Sequence, residues 1–170
     1  TTDIYTLTLH DALPISDAQL LSASVYEDVS FGPLNQGLAE KEVRARVETA
    51  LEAVGMLDRA DASVQTLSFG QKKRVCIAGV LAMRPRVLLL DEPTEGLDPG
   101  SRAGFLGILD ELHREGLTIV MATHDVDLAY GWADRIAVMD RGRLAGAFDL
   151  HAPGGGEVAR AIGMPLIAEV

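Results

Sequence analysis

The sequence predicts an α/β fold with a parallel sheet core and a helical subdomain ahead of it. Short apolar runs at residues 86–91, 117–122 and 135–139 alternate with stretches of helical periodicity at 102–115 and 125–132. Strands alternating with helices build parallel sheets. The first two runs are continuously apolar, the pattern of strands buried on both faces. Residues 25–60 read as helical and stand apart from the strands.

The helical region begins with a short segment at 25–31, which Gly32-Pro33 is expected to break. A longer helix follows over 40–54. Its Val43, Val47, Ala50, Leu51 and Val54 share one face, while Glu40, Lys41, Arg44, Arg46 and Glu48 point to water. Gly55 is placed to stop it. A third helix is expected from Ser68 to Met83, ending ahead of Pro85, because the residue before proline resists helical geometry. Residues 143–148 add a final strand. Gly154-Gly155-Gly156 marks a flexible loop before a short terminal helix. The expected divisions are 1–16, a helical subdomain at 17–85, an α/β core at 86–150, and a loop and short helix at 151–170.

Composition excludes several classes of function. The 170 residues carry a net charge of −10, which disfavours a nucleic-acid partner. The basic run Lys72-Lys73-Arg74 reads as one face of a helix. A single cysteine, Cys76, rules out a disulfide framework or a Cys-based metal site, and its apolar neighbours suggest a buried structural thiol. No stretch approaches the ~18 uninterrupted apolar residues of a membrane span. If the protein serves a membrane, it is expected to do so peripherally.

The first residue is Thr, and residues 1–16 (TTDIYTLTLHDALPIS) closely resemble translated read-through of a sequencing adapter. The alternative is an ordinary strand, since Ile4 to Leu9 alternate like one. The segment is treated as non-native, with the native N-terminus truncated, and carries no functional argument.

The strongest chemical signal is Val87-Leu88-Leu89-Leu90-Asp91-Glu92-Pro93-Thr94. A buried strand ending in Asp-Glu sets two carboxylates at the carboxyl edge of the sheet, where ligands of open α/β sheets bind. Such a pair suits nucleotide hydrolysis, with Asp91 holding Mg²⁺ and Glu92 polarising water as general base. A solvated turn would explain the same pair if it stood alone. Leu67-Ser68-Phe69-Gly70-Gln71 opens the third helix, and a helix N-terminus bearing Ser and Gly presents N–H groups to phosphate. His124, in Met121-Ala122-Thr123-His124-Asp125, follows the next strand and would lie at the same edge. A histidine there can hydrogen-bond a terminal phosphate, although a lone histidine is more often structural. Glu95-Gly96-Leu97-Asp98-Pro99 forms a turn beyond the acids.

In this order, these residues resemble the ABC ATPase family over roughly residues 19–150. Leu67 to Gln71 is similar to its signature motif, Arg86 to Glu92 to its Walker B strand, Gly96 to Asp98 to its D-loop, and His124 to its switch histidine. The resemblance implies a partial P-loop NTPase fold, ATP and Mg²⁺ as cofactors, and two subunits sandwiching two ATP molecules. Asp91, Glu92 and His124 would serve the subunit's own site. Ser68, Phe69, Gly70 and Gln71 would face the partner subunit's nucleotide, and Asp98 is carried with them as a cofactor-binding residue. Gln19 to Pro33, Gln71 to Val75 and Thr123 to Leu128 further resemble energy-coupling-factor ATPases of the cobalt, nickel and vitamin importers, the cobalt type foremost. A transmembrane transporter subunit, a homo- or heterodimeric ATPase partner, no nucleic acid, and a place at the cytoplasmic face of the membrane are what this implies.

The sequence also departs from the family pattern. No G-x-x-x-x-G-K-[ST] phosphate loop is present; Gly32 to Ala39 has the glycine spacing, but Leu38 and Ala39 stand where Lys and a hydroxyl belong. It also lies in a helical stretch. The family's Q-loop glutamine would fall just before Asp17, with Gln19 only a neighbour of that position. Phe69 replaces a signature glycine, and its side chain is expected to restrict backbone approach to phosphate. The chain is therefore expected to be inactive alone. A non-transport ABC module acting on nucleic acid or the ribosome is the alternative, but it would favour a basic surface or a long coiled-coil insertion.

Overall fold

The computed structural model describes residues 24–151 and, as strands, 4–8 and 166–169. Three helices come first. Helix α1 spans Val25–Asn35, α2 spans Glu40–Ala53, and α3 spans Phe69–Leu81. They pack on one another through Val25, Val29, Val43, Val47, Leu51, Val75 and Ile77, all at most 3 % exposed. Two short 3-10 turns, Leu57–Arg59 and Val64–Thr66, connect α2 to α3.

Gly32-Pro33 does not break α1, contrary to the sequence expectation. Pro33 sits in the last turn and is buried, so its missing N–H removes a single helical bond while its fixed φ suits the helix. Gly32 serves packing: a Cβ there would lie 2.7 Å from Met83 Cγ and Sδ. Its helical placement also excludes 32–39 as a phosphate loop. In α2 the expected apolar face is buried, and Gly55, with φ +65°, ends the helix. Arg46 is the exception on the polar side. Its side chain is only 15 % exposed and pairs with Glu42 at 2.8 Å.

Strand β1 is Ile4–Thr8, β2 Val87–Asp91, β3 Thr118–Thr123, β4 Arg135–Asp140, β5 Arg143–Asp149 and β6 Leu166–Glu169. They form one sheet in the order β1-β2-β3-β6-β4-β5. Strands β1, β2 and β3 pair in parallel, whereas β6 runs antiparallel to both β3 and β4, and β5 antiparallel to β4. The sheet therefore has a parallel core with antiparallel members. Helix α4, Pro99–Arg114, links β2 to β3, and α5, Val126–Trp132, links β3 to β4. Phe105, Leu109, Ile119 and Met121 close the core beneath it.

Two further expectations change. Burial along β2 and β3 alternates, with Leu88 and Leu90 buried and Leu89 half-buried, so the strands are not equally covered on both faces. Leu166–Glu169 is a strand where a terminal helix was expected. Paired on both sides, its backbone N–H and C=O groups find partners that one isolated helical turn would lack. Ile4–Thr8, within the adapter-like segment, forms a strand on β2, as its alternation allows. The Q-loop position, Gln19 to Ser22 and Gly154 to Gly156 lie outside the described residues.

Candidate functional site

The site is built at the carboxyl ends of β2 and β3, whose register aligns Asp91 with Ala122. Asp91 ends β2. Glu92 follows with φ +42°, a left-handed backbone that a non-glycine residue adopts at some cost. Its N–H donates to the Ala122 carbonyl at 2.9 Å, which extends the ladder and ties the turn to β3.

Three donors hold the Glu92 carboxylate. Oε1 accepts from the His124 backbone N–H at 2.8 Å and from His124 Nδ1 at 2.7 Å, and Oε2 accepts from the Thr123 hydroxyl at 3.1 Å. An ionised carboxylate only accepts, so His124 carries its proton on Nδ1 in this arrangement. The hydrogen bond to Glu92, then its charge, raise the His124 pKa above the ordinary histidine value. The ring remains 74 % exposed and open to a ligand.

Thr123 was missed at sequence level. Period-two alternation places Ile119, Met121 and Thr123 on the buried face of β3, and a polar residue in that series is the signal that could have found it. The network continues outward. The Thr123 hydroxyl accepts from the Asp125 N–H at 3.1 Å, Asp125 caps α5 through Leu128, and Asp125 pairs with Arg102 of α4 at 2.6 Å. The cap bond to Leu128 and the Arg102 guanidinium hold the Asp125 carboxyl below the usual range.

The signature-like residues open α3. Ser68 is its N-cap, accepting from the Gln71 N–H at 3.3 Å, while the Gln71 side chain accepts from the Ser68 N–H at 2.9 Å. This reciprocal capping box satisfies two otherwise orphaned donors and leaves Ser68 at the surface. Gly70 is close to α4: a Cβ there would stand 3.2 Å from Ser101. The Phe69 ring is 42 % exposed and lies against Gly96, where a Cβ would meet it at 3.1 Å. Gly96 itself has φ +74°, so both conformation and space favour glycine in this turn.

Asp98, expected to bind cofactor, caps α4, its Oδ1 accepting from the N–H groups of Gly100 and Ser101 at 3.0 Å each. Bonds to Ser101 hold its carboxyl below the usual range. Lys73, read from sequence as sharing one helix face with Lys72 and Arg74, points inward and is 4 % exposed. Three consecutive helical residues lie about 100° apart, so Lys72, Lys73 and Arg74 cannot share one face. Cys76 is a free thiol whose burial pushes its pKa up to about 11, which makes it unreactive near neutrality. A cleft of about 530 Å³ lined by Arg84, Arg86, Gly116 and Thr118 lies at the amino ends of β2 and β3, away from these acids.

A pair of acids, a histidine bonded to the second, and a capped helix N-terminus nearby meet at the carboxyl edge of the parallel strands, where open α/β sheets bind ligands. Comparison with known proteins gives the family. The ABC transporter family model matches residues 9–95, and the chain belongs to that family. The chain is 54 % identical over 138 residues to the cobalt import ATP-binding protein CbiO of Rhodobacter capsulatus, covering 81 % of this chain and 48 % of that protein. It is 51 % identical over 128 residues to the energy-coupling factor transporter ATP-binding protein EcfA of Methanosphaera stadtmanae, covering 75 % and 46 %. A solved structure of cbiO1 from Clostridium perfringens, part of the ABC transporter complex cbiONQ, superposes with a TM-score of 0.76 at 44 % identity. It covers 93 % of this chain and 59 % of that one. The chain spans about half the length of the curated relatives it matches.

Proposed function

We propose that this chain supplies the signature, Walker B, D-loop and switch-histidine parts of the ATP-hydrolysing subunit of an importer of the energy-coupling-factor type, with cobalt as cargo. The observation that carries the reading is the Glu92 carboxylate, held at the carboxyl edge of the sheet by Thr123 and by the backbone N–H and ring Nδ1–H of His124. A carboxylate so fixed is oriented to take a proton from water, and the His124 ring, when protonated on both nitrogens, can also donate from Nε2 to a terminal phosphate. Residues 17–85 act as the signature subdomain and 86–150 as the catalytic core.

Asp91 offers a hard oxygen donor of the kind Mg²⁺ uses when substrate phosphates supply further ligands. No group of three or more metal-ligating side chains gathers among the described residues. Bound there, Mg²⁺ would neutralise charge on the phosphates. Ser68, Phe69, Gly70 and Gln71 face the nucleotide of a second ATPase subunit, with Asp98 holding the D-loop turn between them and α4. Among the described residues no helix is long and apolar enough to cross a membrane. A membrane-embedded partner, met at the cytoplasmic face, completes the transporter.

The test has two parts. The chain alone should show no measurable ATP hydrolysis, because its sequence holds no phosphate loop with its lysine. Completed by a P-loop-bearing N-terminal segment, it should hydrolyse ATP, and Glu92→Gln should cut turnover ~10²–10⁴-fold while nucleotide still binds. Near wild-type turnover in that variant would remove Glu92 as the base.

A further inference from the structure

Four polar or charged residues are buried among the described residues, and Lys73 alone of them carries a charge. Its ammonium has three donors. It donates to the Pro93 carbonyl at 2.6 Å and the Glu95 carbonyl at 2.7 Å, and stands 5.0 Å from the centre of the Phe69 ring. Two short bonds and a ring face thus satisfy the group. Burying an ammonium is costly even when satisfied, and an apolar side chain of equal length would fill the same space without that cost. The charge therefore has a use that packing does not supply.

Its targets show what that use is. Pro93 directly follows Glu92, the residue with left-handed backbone, and Glu95 directly precedes the Gly96 turn. The loop's own backbone bonds are long: Glu95 N–H to the Glu92 carbonyl at 3.2 Å and Leu97 N–H to the Thr94 carbonyl at 3.3 Å. The two Lys73 bonds are the short ones. The same lysine rises from the first turns of α3, where Ser68 and Gln71 form the cap and Phe69 lies on Gly96. One side chain therefore joins the helix end that presents Ser68 to the loop that carries Glu92 and Asp98.

We infer that Lys73 is a positioning residue that fixes the Glu92 loop and couples it mechanically to the signature end of α3. The functional half of this inference rests on the reading of Glu92 as the base. The geometric half does not.

Lys73→Met keeps the aliphatic stem and removes the charge, and Lys73→Arg keeps a charge. On the chain itself, amide hydrogen exchange at Glu95 and Leu97 should accelerate at least about tenfold in Lys73→Met, while Leu89 and Met121 in the sheet keep their rates. Lys73→Arg should recover part of the protection. Unchanged loop exchange, or equal loss of protection across loop and sheet, would overturn the inference. In the protein completed with a phosphate loop, Lys73→Met should lower kcat roughly 10–100-fold with KM nearly unchanged, as expected when a catalytic group is misplaced by a fraction of an ångström or more. A raised KM with kcat intact would also overturn it. Failure of the base assignment shows separately, as wild-type turnover in Glu92→Gln.

Discussion

Oε1 of Glu92 accepts from two N–H groups of His124, the backbone at 2.8 Å and ring Nδ1 at 2.7 Å. The backbone bond holds whatever the charge of the ring. The side-chain bond is strongest when the imidazole is protonated and the carboxylate ionised. The two residues assigned to water activation and phosphate contact thus hold each other in place.

A pH dependence follows. The folded-state pKa of His124 is raised above that of free histidine, so the pair's contribution to stability is whole below about pH 6.5 and is lost as pH rises through the raised value. The His124 imidazole, followed by NMR in the nucleotide-free chain, should titrate above the ordinary range. In Glu92→Gln its midpoint should fall toward that of free histidine. An identical midpoint in both proteins would show that Glu92 is not the cause.

The cap at the start of α3 gives a stability prediction. Ser68→Ala removes the acceptor for the Gln71 N–H and should cost about 1 kcal/mol. In a domain of this size that lowers Tm by about 2–4 °C. Thermal unfolding of the chain measures it directly. If Ser68→Ala melts with wild type, the capping box adds nothing, and the serine's exposed hydroxyl is left with only a ligand-facing role.

Much of this was legible in the sequence, for identifiable reasons. The apolar runs located β2 and β3 because core strands tolerate little else, and Ser68 and Asp125 stand at the expected helix starts, whereas α4 begins at Pro99, ahead of the expected residue 102, with Asp98 as its cap. The edge residues Asp91, Glu92 and His124 followed from strand ends, which a run of apolar residues marks well. What escaped depended on tertiary contact. Lys73 is buried because carbonyls twenty residues away meet its ammonium, and no local pattern announces that. Pro33 stays helical because it falls in the final turn. Leu166–Glu169 is a strand because β3 and β4 leave room for one between them.

The last prediction concerns the surface of α1. Residues 20–35 mix Leu20, Leu21, Val25, Tyr26 and Phe31 with Glu27 and Asp28, a sequence pattern that reads as an apolar patch rimmed by acids and fit to receive an amphipathic helix of a membrane subunit. Leu20 and Leu21 lie outside the described residues. Val25 is fully buried and belongs to the core, so that part of the patch is corrected. Phe31 and Leu34, one turn apart on α1, are 67 % and 54 % exposed and form the apolar surface that remains. Burial raises the pKa of Asp28, which makes it a poor choice for charge reversal, because the substitution would disturb folding as well. The informative variant is therefore the pair Phe31→Ser with Leu34→Ser. In the protein completed with a phosphate loop, it should reduce co-purification with the membrane subunit while the soluble ATPase keeps its Tm within about 2 °C, as expected for surface substitutions. A lowered Tm with assembly intact would instead assign these residues to the helical subdomain's own packing, and the docking surface would have to be sought elsewhere.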